Sequence, residues 1–383
     1  MSRLVDTLTL PRVRPDIALL VALALISCIG LIMVGSASVA VADRLTGEPM
    51  YFFYRQAIYA LLGLVTGFVV LHIPLRAWEA NTFTLLGAGL LLLIVVLVPG
   101  IGHSVNGARR WIDLGPVAMQ ASEPARLFLI LYVAGYAARR QLELQTTLGG
   151  LLRPMGFMLV ASVFLLKEPD FGAAAILCVV AGMILFLAGA RLTYVMVFGG
   201  LAMVGATLMV MISPYRMARM LSFADPWAHP YASGFQLTQS LIAIGRGQVD
   251  GVGLGNSVQK LLYLPETHTD FLFAIYAEEF GLIGSLLLIG LFAIVVWRGF
   301  AIARTAIDAG QLFGGFAAYG LSSWLALQAF LNIAVNMGML PTKGLTLPLM
   351  SYGGSSLVIM CLLCGLLLRV DMESRQPTRA RPS

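Results

Sequence analysis

Long apolar runs dominate this chain, and short polar islands interrupt them. A helix needs about 20 consecutive apolar residues to cross the hydrocarbon of a bilayer. Ten runs are candidate spans: Ile17–Val41, Phe52–Leu71, Phe83–Pro99, Pro116–Ala138, Phe157–Lys167, Gly172–Ala188, Leu192–Ile212, Phe271–Trp297, Phe313–Met339 and Ser351–Leu368. In lipid every backbone N–H and C=O must find a partner inside the protein, so each span is a helix or belongs to a closed barrel. The runs are unbroken rather than alternating, which excludes barrel strands. The predicted fold is all-α and integral to the membrane: a polytopic bundle of about ten transmembrane helices, with one long periplasmic loop over residues 213–269. Residues 1–372 read as a single transmembrane domain, and the Pro/Arg/Ser-rich stretch 373–383 as a disordered cytoplasmic tail.

Composition agrees with this pattern. Hydrophobic residues make up 59% of the chain and charged residues 11%, against about 25% charged in soluble domains. Mean hydropathy is +0.87. The formal charge of +6 is spread over helix ends without interleaved aromatics, which argues against nucleic acid as a partner. Four cysteines lie inside apolar runs. Cys361 and Cys364 form a CxxC, but no second pair or nearby histidine completes a metal site, so they read as small packing residues.

The first apolar run is too long for a signal peptide and is expected to remain as a span. An even number of spans puts both termini on one side. That side carries Arg3, Arg12, Arg14, Arg76, Arg139, Arg140, Arg153, Arg191, Arg298, Arg304, Arg369 and Arg375, and is therefore the cytoplasm. Arg109, Arg110 and Lys343 lie in short outer loops and break the positive-inside rule. Cations kept where topology disfavours them are candidates for binding anions, and Arg216 and Arg219 in the long loop join them.

Four polar islands then fall on the outer side: "HSVNGARRWIDLG", "KEPDFG", "YLPETHTDFLFAIYAEEFG" and "MGMLPTKGLTLPLMSYGGSS". In the third, Pro265 can occupy a first helical turn, and Thr267 or Thr269 can cap it. Asp270 then sits where the helix dipole favours an anion. A solvated helix start also accounts for Asp270, Glu266 and His268. Glu278 and Glu279 lie deeper, where a lone charge costs about 2–3 kcal/mol or more. At least one must meet a partner inside the bundle, in a structural or a functional network. Turn chemistry alone explains Asp170, although its neighbours Lys167 and Glu168 make an unusually charged span end. Arg109 and Arg110 can form a fork for phosphate beside Trp111, or simply anchor the interface. Glu123 and Arg126, three apart in the fourth span, are expected to form a buried structural pair. "GVGLGN" follows no strand and opens no βαβ unit, so it is not a phosphate loop.

Taken together, "GARRWI", "QASEPAR", "KEPDFG", "LPETHTDFLFAIYAEEFG" and "LPTKGLTLPLMSYGGSS" resemble the SEDS family (shape, elongation, division and sporulation) over nearly the whole chain. "LPTKGLTLP" is closer to the division member than to the elongation member, which usually carries a valine-rich version. The resemblance implies ten transmembrane helices and a peptidoglycan glycosyltransferase that polymerises lipid II at the outer leaflet. It implies an essential acid at Asp270, an acid of a "QPD" turn at Asp170, an outer-loop tryptophan at Trp111, and an acid–base pair at Glu123 and Arg126. Two positions depart from the family pattern: Glu168 stands for the usual glutamine and Arg126 for the usual lysine. Glu168 adds a charge beside Asp170.

The expected reaction is an inverting displacement. Asp270 acts as base, and Arg109, Arg110, Lys343, Arg216 and Arg219 face the diphosphate. His268 and Ser351 complete the candidate substrate contacts. No metal site is closed by the sequence, although a divalent cation could find oxygens at Asp270 or Asp170. Expected partners are lipid II, the undecaprenyl-diphosphate glycan, a class B penicillin-binding protein that supplies the missing transpeptidase, and other divisome membrane proteins. The expected location is the bacterial inner membrane at the division septum. A lipid II flippase and a non-catalytic divisome scaffold are the rival expectations.

Overall fold

A computed structural model of the chain describes residues 14–376, except positions 106, 107, 114, 116, 117, 214–216, 218, 219, 221, 229, 231–233 and 343. Helix α1 (Ile17–Thr46) is followed by α2 (Tyr51–His72), the short α3 (Leu75–Ala80) and α4 (Thr82–Val95). Strands β1 (Gly102–Val105), β2 (Ala108–Asp113) and β3 (Ala118–Gln120) come next. Then come α5 (Ser122–Arg139), the short α6 (Gln141–Thr146), α7 (Leu148–Lys167), α8 (Phe171–Leu187) and α9 (Leu192–Ile212). The chain ends with α10 (Phe235–Gly247), α11 (Leu272–Asp308), α12 (Leu312–Asn336) and α13 (Gly354–Ser374).

Among the described residues seven helices, α1, α2, α7, α9, α11, α12 and α13, are long and apolar enough to cross a membrane. The apolar but shorter α4 and α8, and the charge-bearing α5, stand at the third, sixth and fourth expected spans. Several expected bounds shift. The fourth span starts at Ser122 rather than Pro116, because Ala118–Gln120 pairs with β2 in an antiparallel sheet absent from the all-helical expectation. The fifth reaches back to Leu148, where Thr147 accepts the Gly150 amide at 3.1 Å and caps it. The eighth continues to Asp308 instead of Trp297.

Helix α1 shows how these elements are specified. Asp16 accepts the Leu19 amide at 2.9 Å, so the first turn is capped. Gly47 ends the helix at φ +73°, with its N–H on Asp43 O at 2.9 Å. Central α5 is buried almost throughout, and α12 and α13 bury most of their length around it. The outer layer inverts the soluble pattern, with Leu61, Leu64 and Phe68 of α2 exposed. α2 and α13 pack backbone to backbone: a Cβ on Gly365 would stand 2.6 Å from Gly67 O. Among the described residues Cys361 and Cys364 are free and no group of His, Cys, Asp or Glu has metal-binding geometry.

Helix α11 is interrupted. Gly281 adopts φ +63° and ψ −161°, and residues 248–253 insert there. Val252 N donates to Glu278 O and Gly253 N to Glu279 O, both at 3.0 Å. Leu282 N donates to Gln248 O at 2.9 Å and Ile283 N to Val249 O at 3.2 Å. The "GVGLGN" stretch is thus a backbone splice into α11.

At one end of the bundle the two ends of the described chain meet. Asp16 N donates to Asp371 Oδ2 at 2.9 Å, and Asp16 pairs with Arg298 and Arg375. Glu373, expected in the disordered tail, instead binds Arg369 at 2.5 Å and the Leu75 amide at 3.1 Å, and Ser374 closes α13. Residues 377–383 lie outside the described residues.

Candidate functional site

The opposite end carries the sheet and the start of α11. Asp270 precedes Phe271, the N-cap residue of α11, which makes no side-chain cap bond. The expected capping is not made: Thr267 Oγ1 donates to Ala37 O at 2.9 Å and Thr269 Oγ1 to Glu266 Oε2 at 2.7 Å. Pro265 does not start the helix either. Glu266 at φ +56° leaves the helical region, and turns run on to Phe271.

The position of Asp270 is set by its own carbonyl, which accepts from Asn332 Nδ2 at 2.9 Å and Asn336 Nδ2 at 3.0 Å. Asn332 Nδ2 also reaches Leu345 O at 2.6 Å, so the 344–345 loop is tied to the same point. A Cβ on Gly344 would lie 3.1 Å from Asp270 Oδ2; glycine there leaves room beside the carboxylate. Asp270 is half-buried.

His268 packs at a tilt against Phe52 and Tyr352, with ring centroids at 4.5 and 5.5 Å, and those two rings also meet edge to face. Burial lowers its pKa, and Glu266 only partly opposes this, so the ring is neutral at neutral pH. Ser351 Oγ accepts the Leu347 amide at 2.9 Å and is buried. His268 and Ser351 therefore build the loops around Asp270. Lys343, Arg216 and Arg219 lie outside the described residues.

A second carboxylate, Asp170, caps α8. Its Oδ1 accepts the Ala173 amide at 3.0 Å, and its Oδ2 accepts from Ser122 Oγ at 3.0 Å and Gln120 Nε2 at 3.2 Å. Three protein donors occupy most of the lone-pair sites of this carboxylate and leave one on Oδ1. Arg110 joins this cluster, but on backbone: its Nε donates to Glu168 O at 2.9 Å and its Nη2 to Pro169 O at 2.5 Å. Arg109 points elsewhere, to Leu97 O at 3.3 Å. The two arginines do not form a common fork. Trp111 is half-buried in β2, opposite His103 and Gln120. Glu168 is fully buried, and both its carboxyl oxygens lack a hydrogen-bond partner among the described residues. Burial first, then the charge of Asp170, push its pKa up to about 9, while Arg110 pulls it down.

Glu123 and Arg126 pair at 3.3 Å with almost no exposure. Arg126 also donates to Gln328 Oε1 at 3.2 Å and lies 4.6 Å over the Trp324 ring. Gln328 Nε2 reaches Thr346 O at 3.1 Å, which links this pair to the loop beside Asp270. Glu278 and Glu279 belong to a polar network with the long loop, through Arg246 at 3.2 Å and Lys260 at 2.8 Å. The sequence reading missed Gln120, Ser122, Gln328, Asn332 and Asn336. The last three carried a usable signal: they recur every fourth residue in an apolar span and so share one face of α12.

The cell cycle protein family of FtsW, RodA and SpoVE matches residues 17–376. A relative from Nitrosococcus halophilus, named a probable peptidoglycan glycosyltransferase FtsW, is 52% identical over 97% of this chain and 95% of its own. One of the same name from Thioalkalivibrio sulfidiphilus is 51% identical over 94% and 90%. Among solved structures, a chain from a peptidoglycan synthase complex that coordinates polymerization and crosslinking superposes with TM-score 0.78, at 29% identity over 95% of this chain and all of that one. The rod shape determining protein RodA of Thermus thermophilus gives 0.71 at 28% identity over 96% and 99%. The chain belongs to the FtsW/RodA/SpoVE family of cell cycle proteins.

Proposed function

We propose that this chain is a peptidoglycan glycosyltransferase of the division type, polymerising lipid II at the outer face of the bacterial inner membrane. Near-full-length relatives of that name support the activity. The observation that carries the chemistry is Asp270: a half-buried carboxylate at a bundle end, with its backbone held by two asparagines and a glycine beside it. In the reaction the 4-hydroxyl of one N-acetylglucosamine forms a bond to the anomeric carbon of another unit's N-acetylmuramic acid. The bond from that carbon to undecaprenyl diphosphate breaks, and the hydroxyl proton passes to Asp270. An α-linked donor giving a β-linked product requires inversion, so one base suffices and no second close carboxylate is needed.

For the leaving diphosphate we put Lys343 first, because its neighbour in sequence, Gly344, lies beside Asp270. Arg216 and Arg219 are further candidates. Arg110 holds the turn at Asp170 instead. Asp170 acts as a strut, and a divalent cation would take its oxygens from Asp270 or Asp170 and from substrate phosphate. A class B penicillin-binding protein is the partner that would crosslink the product, and the division septum is the site of action.

A broken helix such as α11 is a feature of some lipid and solute carriers. Here the backbone groups freed by the break are taken by residues 248–253 rather than left to a substrate. Asp270→Asn and Asp270→Ala, purified with the partner transpeptidase and given lipid II, are expected to lose polymerisation by at least about 10²-fold. Full activity in either variant ends the base assignment.

A further inference from the structure

Residues 246–260 are fastened to α11 twice. The backbone of 248–253 fills the break at Gly281. The stretch that follows is then held by two carboxylates, each at most 1% exposed. Glu278 accepts from Ser257 Oγ at 2.5 Å, Val258 N at 3.0 Å and Gln259 N at 3.4 Å, besides Arg246. Glu279 accepts from Lys260 Nζ and from Ser36 Oγ of α1, both at 2.8 Å. From Lys260 the chain travels only ten residues to Asp270, then enters α11 less than two turns before Glu278. Segment 261–270 is therefore a short closed loop. One end is pinned on Glu278 and Glu279, and the other end is the start of the same helix. Asp270 is its last residue.

We propose that Glu278 and Glu279, with Lys260, are positioning residues for Asp270: they lock the loop and the first turns of α11 into one body on the site side of the break. The proposal rests on Asp270 being the base of a glycosyltransferase. It has a physical scale, since displacing a catalytic group by about 1 Å from afar can cost about 10²-fold in rate. A role confined to holding the fold together would leave the turnover of each folded molecule unchanged.

The test uses the full chain with its transpeptidase partner. For wild type, Glu278→Gln, Lys260→Met and Lys260→Arg, one measures kcat and KM for lipid II and amide hydrogen exchange over residues 257–271. Expected for Glu278→Gln and Lys260→Met is a loss of roughly ten- to a hundredfold in kcat with KM nearly unchanged. Exchange should accelerate over 257–271 and not in α12, while Lys260→Arg retains both rate and protection. Unchanged exchange in Lys260→Met means there is no clamp, whatever the activity. Faster exchange with normal kcat makes the charges merely structural, and a raised KM with normal kcat makes them substrate contacts; either overturns the proposal. If wild type itself does not polymerise lipid II, the proposed function fails and the positioning role with it, while the exchange data still decide whether the clamp exists.

Discussion

At the scale of single residues, Glu168 carries the sharpest consequence. Its carboxyl is sealed from water without a hydrogen-bond partner among the described residues, and it sits beside Asp170. Exposed Lys167 is on the same turn, Arg110 reaches in from β2, and Glu123 and Arg126 lie beyond Asp170 on α5. Its raised pKa, about 9, keeps it neutral at pH 7, and it ionises as pH rises through that value. Ionisation would place a second negative charge beside Asp170 and draw Arg110 off the Glu168 and Pro169 carbonyls. Wild-type activity is therefore expected to fall by about tenfold per pH unit above about pH 9. Glu168→Gln, a permanently neutral mimic, should match wild type at neutral pH and lose that alkaline limb. A pH–rate profile of the two proteins checks it, and an identical alkaline fall in both removes Glu168 as the cause. The sequence showed only that an unusual charge stood at this position. Its protonation follows from burial and from where Arg110 turns, and neither can be read from spacing.

At the scale of elements, the spans were legible because hydrocarbon imposes one length and one polarity on every helix that crosses it. The small sheet was not. Its strands, such as Gly102–Val105 and Ala118–Gln120, are too short to show an alternating pattern, and pairing across a turn is a tertiary fact. The break in α11 was hidden for a similar reason, since one glycine in an apolar run is ordinary. Gly251 and Gly255 separate its ingredients. Both have φ above +80° or at it, at +80° and +84°. A Cβ on Gly251 would lie 2.7 Å from Gly281 N, whereas Gly255 has open space around it. Both alanine variants carry backbone strain, and only Gly251→Ala also forces the splice apart. It should cost about 1–3 kcal/mol more than Gly255→Ala in thermal unfolding in detergent. Equal costs would mean that the splice contributes no stability.

At the scale of the whole molecule, the sheet, Asp170 and Asp270 share one end, while Asp16, Asp371, Arg298 and Arg375 close the other. From the charge bias over the loops we propose that the second end faces the cytoplasm. A cysteine at Asp113, the exposed last residue of β2, should then react with an impermeant maleimide in intact spheroplasts, and one at Asp308 should not. The reverse pattern would invert the orientation and put Asp270 on the wrong side for outer-leaflet substrate. The site itself was half legible. The Glu123–Arg126 pair was legible because charges in apolar surroundings stand out, and the same signal singled out Asp270 and Asp170 as candidates. The asparagines that hold Asp270 are uncharged, and their role needed the loop at Leu345 to be seen against α12.

In a straight helix Leu282 and Ile283 would donate to Glu278 and Glu279, the same carbonyls that the inserted segment now occupies. Withdrawing that segment would thus let α11 zip its own gap, with none of those four groups left bare in oil. The break therefore costs α11 none of these four backbone bonds, and what the inserted segment adds is the set of partners for the Glu278 and Glu279 carboxylates.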